Sequence, residues 1–256
     1  MAIVYGPVSS WRLGRSLGVD PICQKGKICS FDCIYCSLGP TTEKSVERRV
    51  FVTEDQVARA LKRAVNKVRA DVVTFSGTGE PTLARNLGQL IDIAREISGL
   101  PVAVLTNSSL KIRREVREDL AKADIVKGKL DVSDEQLLQA VNRPHSGIYF
   151  HEIVEGLKKF RAEFRGRFQL EVMLVPENMK FSREIAKIAK EINPDEVQLN
   201  TPLRPSRVRP LTLQELTRVQ DDFVGMNVRS VYLATKPRVE VKIGRGKLRW
   251  LKRAKE

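Results

Sequence analysis

The chain has 256 residues, 42% of them hydrophobic, with 45 Lys and Arg against 31 Asp and Glu and a formal net charge of +14. That length suits one α/β domain with a sizeable core, and apolar residues recurring along it exclude low-complexity disorder. No apolar run approaches membrane-spanning length, and the basic excess favours an anionic partner such as nucleic acid.

In chain order, residues 1–7 lack the charged start and long apolar centre of a secretion signal, so a cytoplasmic protein is expected. A first strand is predicted near 16–22. Four cysteines follow within 14 residues: Cys23, Cys29, Cys33 and Cys36. The last three have a C-x3-C-x2-C spacing. In a cytosolic chain of this length, clustered thiols bind metal more often than they form disulfides. Structural zinc wants four ligands, and both histidines, His145 and His151, lie more than a hundred residues away, which leaves Cys23 as the nearby fourth. A [4Fe–4S] cluster on three thiolates, with one iron left open, fits better; zinc and other metals are the alternatives.

Thr53 is placed to cap a helix whose Val57, Leu61, Val65 and Val68 share one face. A strand at 71–76 leads into Gly77-Thr-Gly-Glu80. Helical patterns at 86–98, 111–122, 151–164 and 182–192 then alternate with strands at 101–106, 124–130, 168–175 and 196–200. Six strands alternating with helices imply a parallel sheet with right-handed crossovers. Reactive groups in such a fold gather at the carboxyl ends of the strands, where Asn107, Ser108, Lys129, Asp131, Asn178 and Asn200 also fall.

The loops are basic: residues 10–29 hold Arg12, Arg15, Lys25 and Lys27 against Asp20, and residues 200–211 hold Arg204, Arg207 and Arg209 with no acid. A positive rim of this kind favours a phosphate-bearing substrate. The best boundary lies at 225–227, with a strand at 228–233 behind it. From 236 to 256, nine basic residues stand against two acidic ones. This is either a solvated tail or one that contacts phosphates, with Trp250 available to stack on a base. The expected division is a barrel domain over 1–235 and a basic C-terminal extension over 236–256.

The cysteine run, with Tyr35 just before its last member, resembles the signature of the radical S-adenosylmethionine superfamily. About 40 residues downstream, Val72-Val-Thr-Phe-Ser-Gly-Thr-Gly-Glu80-Pro-Thr-Leu83 resembles that superfamily's Gly-Gly-Glu motif, with Thr78 at the place of its first glycine. The likeness continues as a strand–helix pattern over residues 16–235 and implies a partial (β/α)6 barrel. It implies that Cys29, Cys33 and Cys36 hold the cluster, whose open iron takes the amino and carboxylate groups of S-adenosylmethionine. One electron then cleaves the sulfonium, giving methionine and a radical that abstracts hydrogen from substrate. Glu80 is expected to accept a hydrogen bond from the methionine ammonium, and Gly77, Thr78 and Gly79 to line the same end, Gly79 permitting close backbone approach. Tyr35 is expected to border the adenine, with Asn107, Met173 and Asn200 as further cofactor contacts. A low-potential electron donor such as ferredoxin or flavodoxin is implied.

Leu13-Gly-Arg-Ser-Leu-Gly-Val-Asp-Pro21 and Gln198-Leu-Asn-Thr-Pro-Leu-Arg-Pro205 look like a narrower branch. These are small iron–sulfur oxidoreductases grouped with the tRNA wyosine-base synthases. The wyosine synthases carry a second cluster on three further cysteines, whereas this chain has only Cys23 to spare, so no second cluster of that kind is expected. Cys23 as a fourth ligand would block the open iron; a buried small side chain or a substrate-linking thiol are its other readings. The substrate expected is RNA, foremost tRNA. A protein or small anionic metabolite, as in an activase, is the alternative. A non-enzymatic metal-bearing nucleic-acid module leaves the Glu80 motif unexplained.

Overall fold

In the computed structural model, which describes residues 2–240 and 243, alternate strand positions meet two different environments. Val73, Phe75, Val104, Val126, Leu170 and Leu199 are buried in the apolar core beneath a layer of helices. Their neighbours take the other face, as the pleat requires. There Ser16 bonds Thr74 at 2.7 Å, Lys127 bonds Glu171, Gln169 bonds Glu196 at 3.3 Å and Asn200 bonds Glu171 at 3.3 Å. The concave side of the sheet is therefore polar, and the core lies between its convex side and the helices.

The elements run β1 (Val4–Ser10), β2 (Gly14–Val19), β3 (Ile28–Cys29), β4 (Glu43–Lys44), α1 (Glu54–Val65), β5 (Val72–Phe75), α2 (Leu87–Ser98), β6 (Val102–Leu105) and α3 (Arg114–Ala121). There follow β7 (Ile125–Lys129), the short α4 (Glu135–Leu137), α5 (Phe150–Glu163), β8 (Arg167–Met173), α6 (Ser182–Ile192), β9 (Glu196–Asn200), α7 (Leu213–Gln220) and β10 (Val228–Ser230). Thr53 caps α1 as expected, in a reciprocal box with Gln56, and Val57, Leu61 and Ala64 are its buried stripe. Eight strands form one sheet in the order β1-β2-β5-β6-β7-β8-β9-β10. All neighbours from β2 to β10 are parallel; only β1 runs antiparallel, on β2. The sheet is a partial barrel, because β1 and β10 are its edges and do not pair with each other.

Besides the short β3, β4 and α4, two longer elements go beyond the sequence expectation. β1 contains Gly6 and Pro7, which read as turn residues and hide a strand that Pro can occupy only at an edge. Its hairpin places residues 11–13 at the amino end of β2. Helix α7 follows three prolines but carries a readable signal, the Thr212–Glu215 capping box. After β10 the chain turns back along the free side of β1: Ser9 Oγ donates to the Pro237 carbonyl at 2.6 Å, and Gly6 and Ile243 exchange backbone hydrogen bonds of 3.0 Å. Most of the basic extension, with Trp250, lies outside the described residues. Among the described residues no helix is long and apolar enough to cross a membrane.

Candidate active site

Asp20, immediately after β2, organises the entry to the cysteine loop. Its Oδ1 accepts the backbone amides of Ile22 at 3.1 Å and Cys23 at 2.8 Å, and its Oδ2 accepts the amide of Thr78 at 3.2 Å and its hydroxyl at 3.0 Å. A Cβ on Gly77 would lie 2.2 Å from the Asp20 Cγ, and φ there is +148°, so glycine is required. Thr78, where the motif usually has glycine, thus laces the end of β2 to the end of β5. At Gly79 a Cβ would lie 1.7 Å from the carbonyl oxygen of Ile28. Ile28 donates to the Thr78 carbonyl at 3.1 Å and accepts from the Glu80 amide at 3.0 Å. The close approach expected at Gly79 is to the cysteine loop itself, which is pinned backbone to backbone on residues 78–80.

Cys29 is buried, while Cys33 and Cys36 are half-buried. Asn107 Nδ2 donates to Cys29 Sγ at 3.6 Å, and Asn142 Nδ2 donates to Cys33 Sγ at 3.5 Å. Burial pushes the Cys29 thiol up, and that of Cys33 to about 11. A cationic metal centre is what would convert such thiols to thiolates. Among the described residues, the cysteines form no disulfide, and no group of three or more Cys, His, Asp or Glu side chains is already gathered to hold a metal ion. Three thiols spread along one loop, two of them receiving N–H bonds, fit a cluster that takes each on a different iron better than they fit mononuclear zinc.

Glu80 has partners other than those expected. It is only 2% exposed. Oε1 accepts from the Thr82 amide at 3.1 Å, the Thr82 hydroxyl at 2.8 Å and the Thr106 hydroxyl at 2.6 Å, and Oε2 accepts from the Asn107 amide at 2.7 Å. The carboxylate ties the turn after β5 to the end of β6 and does not line the neighbouring cavity. Asn107, fixed by Glu80, in turn directs its side chain to Cys29 and to the Ser30 hydroxyl at 2.8 Å. Tyr35 is anchored in a comparable way. Its hydroxyl donates to Asp131 and accepts from Asn142 Nδ2 at 3.0 Å, while Asp131 also accepts from Asn142 at 3.0 Å and from the Met173 amide at 2.8 Å. Asn142, the last residue of the π-helical segment Leu138–Asn142 that continues α4, carried no signal in the sequence, because its partners lie 11 to 109 residues away.

The concave face opens on a cavity of about 560 Å³. Tyr35, Cys36, Gly77, Thr78, Met173 and Asn200 border it, so six of the expected site residues share one space; Cys29, Cys33, Gly79, Glu80 and Asn107 do not line it. Deeper in, Glu171 meets Arg12 at 3.1 Å, Lys129 at 3.3 Å and Lys127. Burial alone would raise the Glu171 carboxyl, but Arg12, Lys127 and Lys129 together hold it well below the usual range. Burial, with Arg12 nearby, brings Lys127 down to about 7.

The basic rim is narrower than the sequence suggests. Arg15 is paired with Asp71, Arg207 with Asp32 at 3.3 Å and Arg209 with Glu215 at 2.8 Å. Arg12 and Arg15 do not belong to a loop at the carboxyl ends, because the β1–β2 hairpin places them at the amino end of β2.

The family model described as the Radical SAM superfamily matches residues 24–192. A UPF0026 protein of Methanocaldococcus jannaschii is 36% identical over 240 residues, covering 89% of this chain and 74% of its own. Among solved structures, Streptococcus suis SuiB bound to S-adenosylmethionine matches with a TM-score of 0.61 at 17% identity, over 85% of this chain and 47% of SuiB. Archaeal TYW1 matches with a TM-score of 0.59 at 16% identity, over 83% of this chain and 72% of TYW1. The chain thus spans about half the length of SuiB, and both likenesses are likenesses of fold.

Proposed function

The chain belongs to the radical S-adenosylmethionine superfamily, enzymes that use a [4Fe–4S] cluster and S-adenosylmethionine, and on that premise we propose that Cys29, Cys33 and Cys36 hold the cluster. The observation that carries this assignment is the backbone pairing of Ile28 with residues 78–80, which sets the cysteine loop against the Gly-Thr-Gly-Glu turn at the mouth of one cavity. When bound, the cluster and S-adenosylmethionine supply one-electron cleavage of the sulfonium and abstraction of hydrogen from a substrate carbon. The protein's part is positioning and shielding. Tyr35, Gly77, Thr78, Met173 and Asn200 border the cofactor. Asn107 and Asn142 donate to cluster sulfurs, which favours the more negative, reduced form. Glu80 acts from behind, by fixing Asn107. A low-potential donor such as ferredoxin or flavodoxin delivers the electron.

For the substrate, we favour an RNA nucleotide, foremost in tRNA. Supporting this are the sequence resemblance to the wyosine-synthase branch and the cations of the cavity, Arg12, Lys25, Lys27, Arg204 and Lys236. The second reading, a small phosphorylated metabolite, is favoured by the depth at which Arg12 lies, next to the buried Glu171. The expected cytoplasmic location and the division at residue 235 belong to the same proposal. The test is anaerobic reconstitution followed by measurement of 5′-deoxyadenosine release, with and without bulk tRNA. Release stimulated by tRNA and abolished in Cys33→Ala is the expected result. Release that persists in Cys33→Ala overturns the ligand assignment, and release indifferent to tRNA overturns the RNA reading.

A further inference from the structure

The cavity extends well beyond the cysteine end. It is walled by Tyr5, Ser9 and Ser10 of β1 on one side and by Val231 and Lys236, after β10, on the other. It therefore follows the seam where the barrel fails to close. Three cations reach this seam from separate parts of the chain: Arg12 from the β1–β2 turn, Arg204 from the loop after β9, and Lys236 from the segment after β10. We propose that Arg12, Arg204 and Lys236 form a subsite for a phosphate group of the substrate; this rests on the reading of the same cavity as the cofactor and substrate site.

Charge balance supports a ligand of that kind. Among the described residues, the cavity wall carries Arg12, Lys25, Lys27, Arg204 and Lys236 against Asp20 and Glu171. Asp20 is occupied by the backbone amides and hydroxyl it caps, Glu171 is shared with Lys127 and Lys129, and Lys27 meets Asp32 at 3.9 Å, so the excess rests on the other cations. The cofactors do not make up the difference. An oxidised [4Fe–4S] core on three thiolates carries a single net negative charge, and S-adenosylmethionine chelated through its unprotonated amino group and carboxylate is neutral, so together they offset only one of these cations. An anionic group on the substrate suits this balance. A phosphate dianion matches the excess better than one carboxylate does, and guanidinium forks match its oxygens.

Two local features point the same way. Arg12 Nε is buried and makes no hydrogen bond with the described residues, although Nη1 of the same guanidinium holds Glu171. A buried orphan donor of this sort is stabilised by an incoming acceptor. Arg204 is brought down to about 10 by burial and by Arg12, so two guanidiniums are held within each other's field. An anion between them relieves that repulsion.

The test uses the full-length protein and inorganic phosphate as probe, titrated at constant ionic strength while the melting temperature is followed. Saturable stabilisation is expected for the wild type. The half-saturating concentration should rise at least tenfold in Arg204→Gln and in Arg12→Gln, the loss of one charge-assisted contact. Arg114→Gln, which removes an exposed guanidinium paired only with Glu118, should leave it unchanged. Arg204→Lys, which keeps the charge without the fork, should fall between. If tRNA affinity falls in parallel, the phosphate belongs to RNA; if it does not, the subsite serves a free phosphorylated substrate. Equal half-saturation in wild type, Arg12→Gln and Arg204→Gln, with all three folded by circular dichroism, overturns the subsite. Iron content and S-adenosylmethionine affinity of the reconstituted wild type test the cofactor reading separately, since their absence would refute that reading whatever phosphate does.

Discussion

Replacing Glu80 by glutamine keeps the shape of the side chain and changes what one of its two terminal atoms can do. In the wild type Oε1 gathers three donors, the Thr82 amide and the hydroxyls of Thr82 and Thr106, while Oε2 takes the Asn107 amide at 2.7 Å. The single oxygen of the glutamine amide can serve the first three, and its NH2 then faces the Asn107 N–H. Two donors confront each other in a pocket only 2% exposed. Each buried unsatisfied donor costs about 1–3 kcal/mol, so Glu80→Gln should lose about 3 kcal/mol of stability. For a domain of this size that corresponds to a fall in melting temperature of about 6–12 °C. Scanning calorimetry on the purified protein gives the number. S-adenosylmethionine affinity, measured on the same sample, should weaken as well, because Asn107 loses its anchor and with it the bond to Cys29. A melting temperature within about 2 °C of wild type, combined with a collapse in cofactor affinity, would refute this reasoning and return Glu80 to a direct contact with the cofactor.

Lys111 is fully buried over the rings of Phe160 and Phe168, and burial brings its ammonium down to about 7 from 10.5. The unfolded chain therefore binds this proton between pH 7 and 10.5 while the folded chain does not, so stability rises with pH across that window. Lys111→Met should stabilise the protein by about 4 kcal/mol at pH 7 and about 2 kcal/mol at pH 9, from about 1.36 kcal/mol per pH unit. Urea titrations at the two values check it; a gain independent of pH would show that Lys111 is charged in the folded state. Asn142→Leu removes the N–H bond to Cys33 Sγ and should make the cluster harder to reduce. A bond worth about 1 kcal/mol corresponds to a shift of about 40 mV to more negative potential. A redox titration followed by electron paramagnetic resonance reads this, and an unchanged midpoint with full iron content would dismiss the bond as a tuning element.

The repeating βα pattern was legible because each strand carries its apolar residues on one face and each helix a buried stripe, as at Val57 and Leu61, although Ala64 completes that stripe where Val65 and Val68 were expected. The three cysteines proposed for the cluster and the turn at 77–80 could be singled out because their spacing is local. The supports of those residues could not. Asp20 reaches Thr78 across 58 residues, and Asn142 reaches Cys33 across 109. An Asn or Asp in a loop is ordinarily a turn or cap residue, and nothing short of the fold distinguishes one that also holds a sulfur. The sequence likewise offered Glu80 to a ligand, because the motif identifies the residue and not the protein donors that its carboxylate takes. The donors that claim it, Thr106 and the Asn107 amide, belong to the end of the next strand.

Charge counted along the chain misleads for a related reason. Arg15, Arg207 and Arg209 looked like part of a positive rim, yet each meets a carboxylate, at separations of 56, 175 and 6 residues. All three partners lie outside the windows in which the charge was counted. Arg12, from the same count, is instead carried to the opposite end of β2 by a hairpin that Gly6 and Pro7 conceal, and from there it enters the barrel to meet Glu171. Surface cations of the first kind act through a screened field and steer whatever anion approaches. Arg12, half-buried against one shared carboxylate, works at short range in a reduced dielectric, where it can select a ligand. The part of the net charge that bears on the substrate is therefore the few cations drawn into the seam, and the distinction between them and the rim depends on the one antiparallel strand of the sheet.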